Sequence, residues 1–270
     1  MTERPNPFFS IVTAIYNAQE VVAATAESLR QQTFTDYEWI IVDGASTDGT
    51  LEAVRPYFIE GRDTLVSEPD RGVYDAMNKG LTLARGQVVQ FLNAGDRLAG
   101  DDVLAKVAAE FSDGIDAIYG DTILSMEDGL TLRTPAINIA DNLHRRMPIS
   151  HQSLFTRREL HLRYPFDLSF RVSADYAVIA AMCKAGARMK YLPEPLNINS
   201  IEAEAISIAG KALSATEDYC IHRDILGRSP LQAGIPFLRK RVITSCVAVL
   251  KALPEPLYRA LPRAIRRRLY

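Results

Sequence analysis

A chain of 270 residues suits one large domain or two small ones, and 47% hydrophobic with 24% charged residues is an ordinary globular balance. A formal net charge of −2 excludes the global basic footprint of a nucleic-acid binder. The average hides an asymmetry: from Ile235 to Tyr270 there are nine Lys/Arg and one acid, Glu255, so this tail is +8 and the remainder −10.

The first 120 residues alternate strand-like and helical patterns. "FFSIVTAIY" (Phe8–Tyr16) is a β-rich run, and "AQEVVAATAESLRQQ" (Ala18–Gln32) has helical spacing. "EWIIVDG" (Glu38–Gly44) reads as a strand and "TDGTLEAVRPYF" opens a helix. "DTLVSE" (Asp63–Glu68), "QVVQFLN" (Gln87–Asn93) and "DAIYGD" (Asp116–Asp121) are further strands. Between them lie the helical segments Gly72–Ala84 and Asp101–Phe111. Continuous apolar strands alternating with helices predict an α/β fold: a Rossmann-like, mostly parallel central sheet flanked by helices. The second half is less regular. Arg171–Gly186 predicts a helix, "RMKYLPEPLNIN" a strand, about Glu202–Arg223 a helix, and "SPLQAGIP" (Ser229–Pro236) a linker.

Ligands of such sheets bind outside the carboxyl ends of the strands. The residues there are Tyr16-Asn17, Asp43-Gly44, Glu68-Pro69-Asp70-Arg71 and Asn93-Ala94-Gly95-Asp96. Turn chemistry explains some of them, but acids follow three of the four strands. Neither a dinucleotide glycine fingerprint nor a P-loop is present, since the first strand runs into "YNAQE". Cys183, Cys220 and Cys246 are too far apart for CxxC pairs and predict free thiols in a reducing compartment. "MTERPNPFF" has no signal-peptide pattern, and no run of roughly 18 apolar residues predicts a spanning helix.

Several segments, in order and spacing, resemble family 2 glycosyltransferases of the GT-A fold. They are Ser10–Thr50, "SEPDRGVYDAMNKGLTLARG" (Ser67–Gly86), "VVQFLNAGD" (Val88–Asp96), "ISHQSLFTR" (Ile149–Arg157) and "SADY" (Ser173–Tyr176). The resemblance covers about residues 8–200 and is greatest to bacterial enzymes of exopolysaccharide or glycolipid assembly, including the colanic-acid type. It implies inverting transfer of a sugar from a nucleotide diphosphate sugar, with UDP favoured over GDP, to a hydroxyl of a saccharide or lipid-linked acceptor. It also implies a nucleotide-binding half at about 1–123 and an acceptor half at about 124–228; charge and helical spacing predict a basic amphipathic helical extension at 229–270.

Carried onto this sequence, the resemblance places Thr13, Ala14, Tyr16, Asn17 and Asp43 around the base and ribose. Asp43 read alone is equally a turn former. The resemblance assigns Asp70 and Arg71 to the diphosphate, where an Arg and backbone N–H groups suit an anion. Lys79 is either a phosphate contact or part of a solvated helix face. Asn93, Ala94, Gly95 and Asp96 stand where the family carries an Asp-x-Asp-like motif for Mn²⁺ or Mg²⁺. Only Asp96 is acidic, which predicts weaker metal binding than a two-acid site. His151 is a further metal or phosphate candidate, or a structural hydrogen-bonding histidine. Asp175 matches the general base, with Asp167 as the alternative; a carboxylate in a helix's first turn is also favoured by the helix dipole.

In the tail, Phe237, Leu238, Val242, Ile243, Cys246, Val249 and Leu250 follow helical spacing, and Leu257, Leu261, Ile265 and Leu269 recur beside five arginines. Such segments bind anionic membrane surfaces, here at the inner face of the cell membrane, or else cover the domain or form a homodimer contact. Two other readings stay open: a nucleotidyltransferase of related fold, and a non-catalytic nucleotide-sugar-binding protein.

Overall fold

The computed structural model describes residues 6–126, 131–201 and 208–251. Its first half is built as the periodicity predicts. Strands β1 (Phe9–Ile15), β2 (Tyr37–Asp43), β3 (Thr64–Ser67) and β4 (Val88–Phe91) alternate with helices α1 (Val22–Arg30), α2 (Thr50–Val54) and α3 (Val73–Leu83). A two-residue β5 (Arg97–Leu98) and α4 (Val103–Glu110) follow. The second half contains β6 (Ala117–Met126), β7 (Thr131–Thr134), α5 (Ile139–Asn142), β8 (Leu154–Arg157), α6 (Arg158–Arg163), α7 (Ala174–Lys184), β9 (Met189–Ile201), α8 (Ile208–Cys220) and α9 (Pro230–Lys251).

One sheet runs through both halves in the order β3-β2-β1-β4-β8-β6-β9-β5, with β7 paired to β6. The pairs β3-β2, β2-β1 and β1-β4 are parallel. Strand β8 then enters antiparallel between β4 and β6. Both faces of the central strands are covered, which is why β1, β2 and β4 are buried at every position rather than at alternate ones. Phe9, Ile11, Trp39 and Ile41 face a core with Val22, Leu29, Leu104 and Val107. Val12, Ile40, Val42 and Phe91 face a second core with Met77, Leu81, Val178 and Met182.

One expectation is corrected at the C-terminal end. Ser229–Pro236 is not a linker, because α9 starts at Pro230. Ser229 and Gln232 form a reciprocal cap: the Gln232 N–H donates to the Ser229 hydroxyl at 3.3 Å, and the Ser229 N–H donates to Gln232 Oε1 at 3.2 Å. Proline suits the first helical position, where its missing N–H has no partner to lose. Pro236 then sits inside the helix. The helix expected from Glu202 begins, among the described residues, at Ile208, and it ends in a wide turn at Ile221–Ile225. The start of that expectation, and the arginine-rich segment from Leu257 onward, lie outside the described residues. Among the described residues no helix is long and apolar enough to cross a membrane.

Candidate active site

The carboxyl ends of β1 and β2 are joined by a ladder of loop contacts. The Asn17 N–H donates to the Ser46 hydroxyl at 2.8 Å, and the Thr47 N–H donates back to Asn17 Oδ1 at 3.0 Å. The Ala18 N–H donates to Thr50 Oγ1 and the Gly49 N–H to Gln19 Oε1. Asp43 sits beneath the ladder, fully buried, accepting from the Ser46 N–H and hydroxyl and from the Ser67 hydroxyl. Exposed Tyr16 flanks Gly44, and the Asp70 carboxylate closes the other side. A Cβ at Gly44 would stand 2.6 Å from Asp70 Oδ2 and 3.2 Å from Tyr16 Cδ2. The absence of a side chain at Gly44 therefore lets the Asp70 carboxylate and the Tyr16 ring close in on the end of β2.

At the end of β4 the chain turns through Asn93-Ala94-Gly95-Asp96. Gly95 has φ +89°, a conformation side chains resist. Thr25 on α1 pins the turn, its hydroxyl accepting the Gly95 N–H at 2.9 Å. Asp96 is buried and accepts from Gln152 Nε2 at 3.0 Å. Burial raises its pKa to about 6, partly offset by His151 and Gln152.

The antiparallel pairing of β8 on β4 brings residues distant in sequence to this turn. Continued past the Gln90–Phe155 pair, the register carries Asn93 to the level of Gln152. His151 therefore lies over the turn, with Asn93 Nδ2 3.4 Å from His151 Nε2. On its other side His151 Nδ1 is 3.1 Å from Asp175 Oδ2. An amide N–H facing Nε2 requires that nitrogen to be bare, so the proton is assigned to Nδ1, which donates to Asp175. The second Asp175 oxygen accepts from the Tyr176 N–H at 2.8 Å, and the Tyr74 hydroxyl, which donates to the Val172 carbonyl at 2.8 Å, lies 3.4 Å from it. Burial and the Asp175 charge push the Tyr74 phenol far above its ordinary range, so it serves only as a neutral donor.

Asp175 occupies the first turn of α7, and the backbone leading into that helix is held from outside. Buried Glu217 on α8 accepts the N–H groups of Arg171, Val172 and Ser173 at 2.8, 3.0 and 2.8 Å. These donors lie just ahead of α7, which begins at Ala174, so Glu217 holds the approach to the helix and not its first turn.

The sequence profile of glycosyl transferase family 2 matches residues 10–179, which contain every residue of this arrangement except Glu217. The chain belongs to glycosyl transferase family 2. A PGL/p-HBAD biosynthesis glycosyltransferase of Mycobacterium bovis is 37% identical over 175 residues, 63% of this chain and 67% of that protein. An uncharacterized glycosyltransferase of Mycobacterium tuberculosis is 27% identical over 247 residues, 87% of this chain and 88% of that one. Among solved structures, the mannosyltransferase PcManGT from Pyrobaculum calidifontis, in complex with GDP-Man and Mn²⁺, superposes with a TM-score of 0.65 at 20% identity, covering 98% of this chain and 81% of that one. S. aureus TarS in complex with UDP-GlcNAc gives 0.64 at 16% identity, covering 93% and 78%. These likenesses show the GT-A fold, and the expected family and fold are those found.

Within this glycosyltransferase, Tyr16, Asn17, Asp43 and Asp70 gather at one end of the sheet edge, and Asn93, Asp96, His151 and Asp175 at the other. Thr13 and Ala14 lie inside β1, where the Thr13 hydroxyl accepts from the Trp39 indole N–H at 2.8 Å. Arg71 is exposed and pairs with Asp75, four residues on, at 3.1 Å. Lys79 is tied to its own loop, donating to the Pro69 carbonyl at 2.9 Å and pairing with Glu68 at 2.8 Å. Asp167 accepts locally from the Ser169 N–H.

The sequence reading missed Ser46, Ser67, Thr25, Tyr74, Gln152 and Glu217. Gln152 was the most visible of these, since it adjoins His151 in "ISHQSLF". Among the described residues no group of three or more His, Cys, Asp or Glu is placed to hold a metal ion. Asn93 Oδ1, however, is buried beside Asp96 without a hydrogen-bond partner.

Proposed function

We propose that the chain transfers a sugar, with inversion, from a nucleotide diphosphate sugar to a hydroxyl of a saccharide or lipid-linked acceptor. The observation that carries this reading is the hydrogen-bonded run from Asn93 through His151 to Asp175. It couples the turn at the donor end of the sheet to a carboxylate that can take a proton. Tyr16, Asn17 and Asp70 stand at the strand ends where a nucleobase and ribose would be held, and Asp43 sets the shape of the loop beside them. UDP is favoured over GDP by the resemblance; the two solved neighbours named above hold GDP-Man and UDP-GlcNAc respectively.

Asp175 is the base. The attacking hydroxyl hydrogen-bonds to its carboxylate and gives up its proton as the new glycosidic bond forms. Inversion follows when the hydroxyl approaches opposite the departing diphosphate. His151 donates Nδ1–H to Asp175 and keeps one oxygen oriented. Asp175 stands off the end of the sheet that carries the turn, so donor and acceptor meet between them.

Mn²⁺ or Mg²⁺ would supply Lewis-acid neutralisation of the leaving diphosphate. Asp96 and the unpartnered Asn93 Oδ1 are oxygen ligands of the right kind, with His151 Nε2 on the same side. They are too few to fill a coordination shell of about six, so donor oxygens and water complete it. Metal binding is accordingly stronger with nucleotide than without.

Asp175→Asn tests the assignment. Loss of a general base costs roughly 10²–10⁴-fold in turnover. Nucleoside diphosphate release falls by that amount while donor affinity, measured by calorimetry with Mn²⁺, is unchanged. Wild-type turnover in this variant overturns the reading. The donor base is identified by thermal shift with UDP, GDP and dTDP, because a ligand present at about 100 times its Kd stabilises the fold by about 2.7 kcal/mol.

A further inference from the structure

We infer that Gln152 is the positioning residue of the cation site at the end of β4: it holds one oxygen of Asp96, so that the carboxylate offers a single oxygen to the metal, a presentation that favours Mn²⁺ or Mg²⁺ over Ca²⁺. This rests on the reading that the turn carrying Asn93 and Asp96 takes a divalent cation, as proposed above, and adds how the chain selects among such cations.

Asp96 differs from the other buried acids. Glu38, Asp63 and Asp121 are each paired with an arginine. Asp43 and Glu217 are each met by three N–H or O–H donors. Asp96 accepts from two neutral donors, the Gln152 amide at 3.0 Å and the backbone N–H of Ser200 near the end of β9. Among the described residues no lysine or arginine pairs with it. A carboxylate has about four lone-pair sites, so two donors leave room for a metal ion. A buried carboxylate without a matching charge is costly, and a cation at this turn offsets that cost.

Gln152 is itself held in place. Its Oε1 accepts from the Ser150 hydroxyl, which leaves the NH₂ end of the amide to face Asp96. Its backbone carbonyl accepts from Gln90 Nε2 at 2.8 Å. Gln90 lies on β4 opposite Phe155 and is fully buried in a strand whose other members are apolar. A polar side chain at such a position must find a partner, and this one ties the segment carrying Gln152 to the strand that runs into the Asp96 turn. Both sides of the Gln152–Asp96 contact are therefore anchored on β4.

A carboxylate free to turn can present both oxygens to one ion. Ca²⁺, with about six to eight oxygen ligands in flexible geometry, accepts such a pair, whereas Mg²⁺ demands a near-ideal octahedron of single oxygens. Mn²⁺ shares the octahedral preference. With Oδ2 on the Gln152 amide, Asp96 offers Oδ1, together with the unpartnered Asn93 Oδ1. The amide is neutral, so it orients the carboxylate and leaves its charge to the metal. A lysine or arginine in the same place would cancel that charge.

The test is equilibrium dialysis of Mn²⁺ and of Ca²⁺ against the full-length protein, with UDP present and, in parallel, with GDP. The wild type binds Mn²⁺ at least about tenfold more tightly than Ca²⁺, a difference of about 1.4 kcal/mol. Q152M removes the donor at nearly constant length, and Q152N keeps an amide too short to reach Asp96. Both lower Mn²⁺ affinity about 10–100-fold, the usual cost of losing a group that orients a metal ligand. Ca²⁺ affinity falls less, because Asp96 can then turn both oxygens to it, so the preference for Mn²⁺ narrows. Nucleotide binding measured without metal is unchanged in both variants, which reports an intact fold. Undiminished Mn²⁺ binding in both variants overturns the role of Gln152. Equal losses of Mn²⁺ and Ca²⁺, or a wild type that takes Ca²⁺ as tightly as Mn²⁺, overturn the selectivity. D96N reads the underlying site separately: it loses Mn²⁺ if the turn holds the cation, and wild-type Mn²⁺ binding there overturns the metal reading itself.

Discussion

His151 decides how Asp175 is presented. A carboxylate in a helix's first turn has rotameric freedom, and the Nδ1–H contact at 3.1 Å removes part of it. H151A should lower kcat about tenfold or more, a typical cost for a positioning partner, with donor affinity little changed. H151N places an amide N–H near the former Nδ1 and should recover part of the rate. If His151 acts through Asp175, D175N/H151A is no slower than D175N alone, and steady-state kinetics on the three variants reads this directly.

The proposed site residues that the sequence singles out stand at strand ends or in a first helical turn: Asp43, Asp70, Asp96 and Asp175. Gln152, Thr25 and Tyr74 were not legible. Each acts on a residue far off in sequence, 56 residues from Gln152 to Asp96 and 101 from Tyr74 to Asp175, and local pattern carries no trace of such pairings.

Among the elements, α8 does more than cover the domain. Through Glu217 it binds three consecutive N–H groups just before Asp175, so one side chain ties the C-terminal helices to the proposed base. E217A removes the shared acceptor of three N–H groups, of which Ser173 is buried while Arg171 and Val172 are exposed and can turn to water, at a cost of about 1–3 kcal/mol. A lower urea midpoint with an unchanged slope, together with a lower kcat, is the expected result; E217Q should lie between. The amphipathic and apolar runs were legible as elements because they are long and periodic. The four-residue β8 was not, since so short a run is indistinguishable from a loop before its partners are known. Helix α9 was misread at its start because Gly234 and Pro236 suggested a break, although the Ser229–Gln232 capping box announced a helix.

At the scale of the molecule, stability depends on histidines kept neutral. His161 is buried against Phe91 and Phe166, with ring centroids 4.9 and 5.1 Å away, and burial lowers its pKa from 6.5 to about 4. The unfolded chain then binds more protons than the folded one between those values, so stability rises with pH across that window. Its contribution is complete above about pH 6.5 and is lost as pH falls towards 4, on the order of 3 kcal/mol at 1.36 kcal/mol per unit. H161F, which keeps an aromatic ring among aromatic neighbours, should flatten the fall in urea midpoint between pH 7 and pH 4.5. An unchanged slope in that variant would show that other groups carry the acid sensitivity.

The place of β8 in the sheet has a consequence for how the chain can be divided. Until residues 154–157 arrive, the outer side of β4 is an open edge with unpaired N–H and C=O groups, and β6 lacks its neighbour. The first 123 residues therefore hold the strands of the proposed nucleotide site but end on a sticky border, and the sequence's division into two halves crosses a single continuous sheet. Expressed alone, that fragment should self-associate in size-exclusion chromatography, whereas one extended through β9 should not. During synthesis the same edge is exposed from the end of β4 until β8, while roughly sixty further residues emerge, about three seconds or more at about 5–20 residues per second. Translation rate is thus a variable in the yield of this protein.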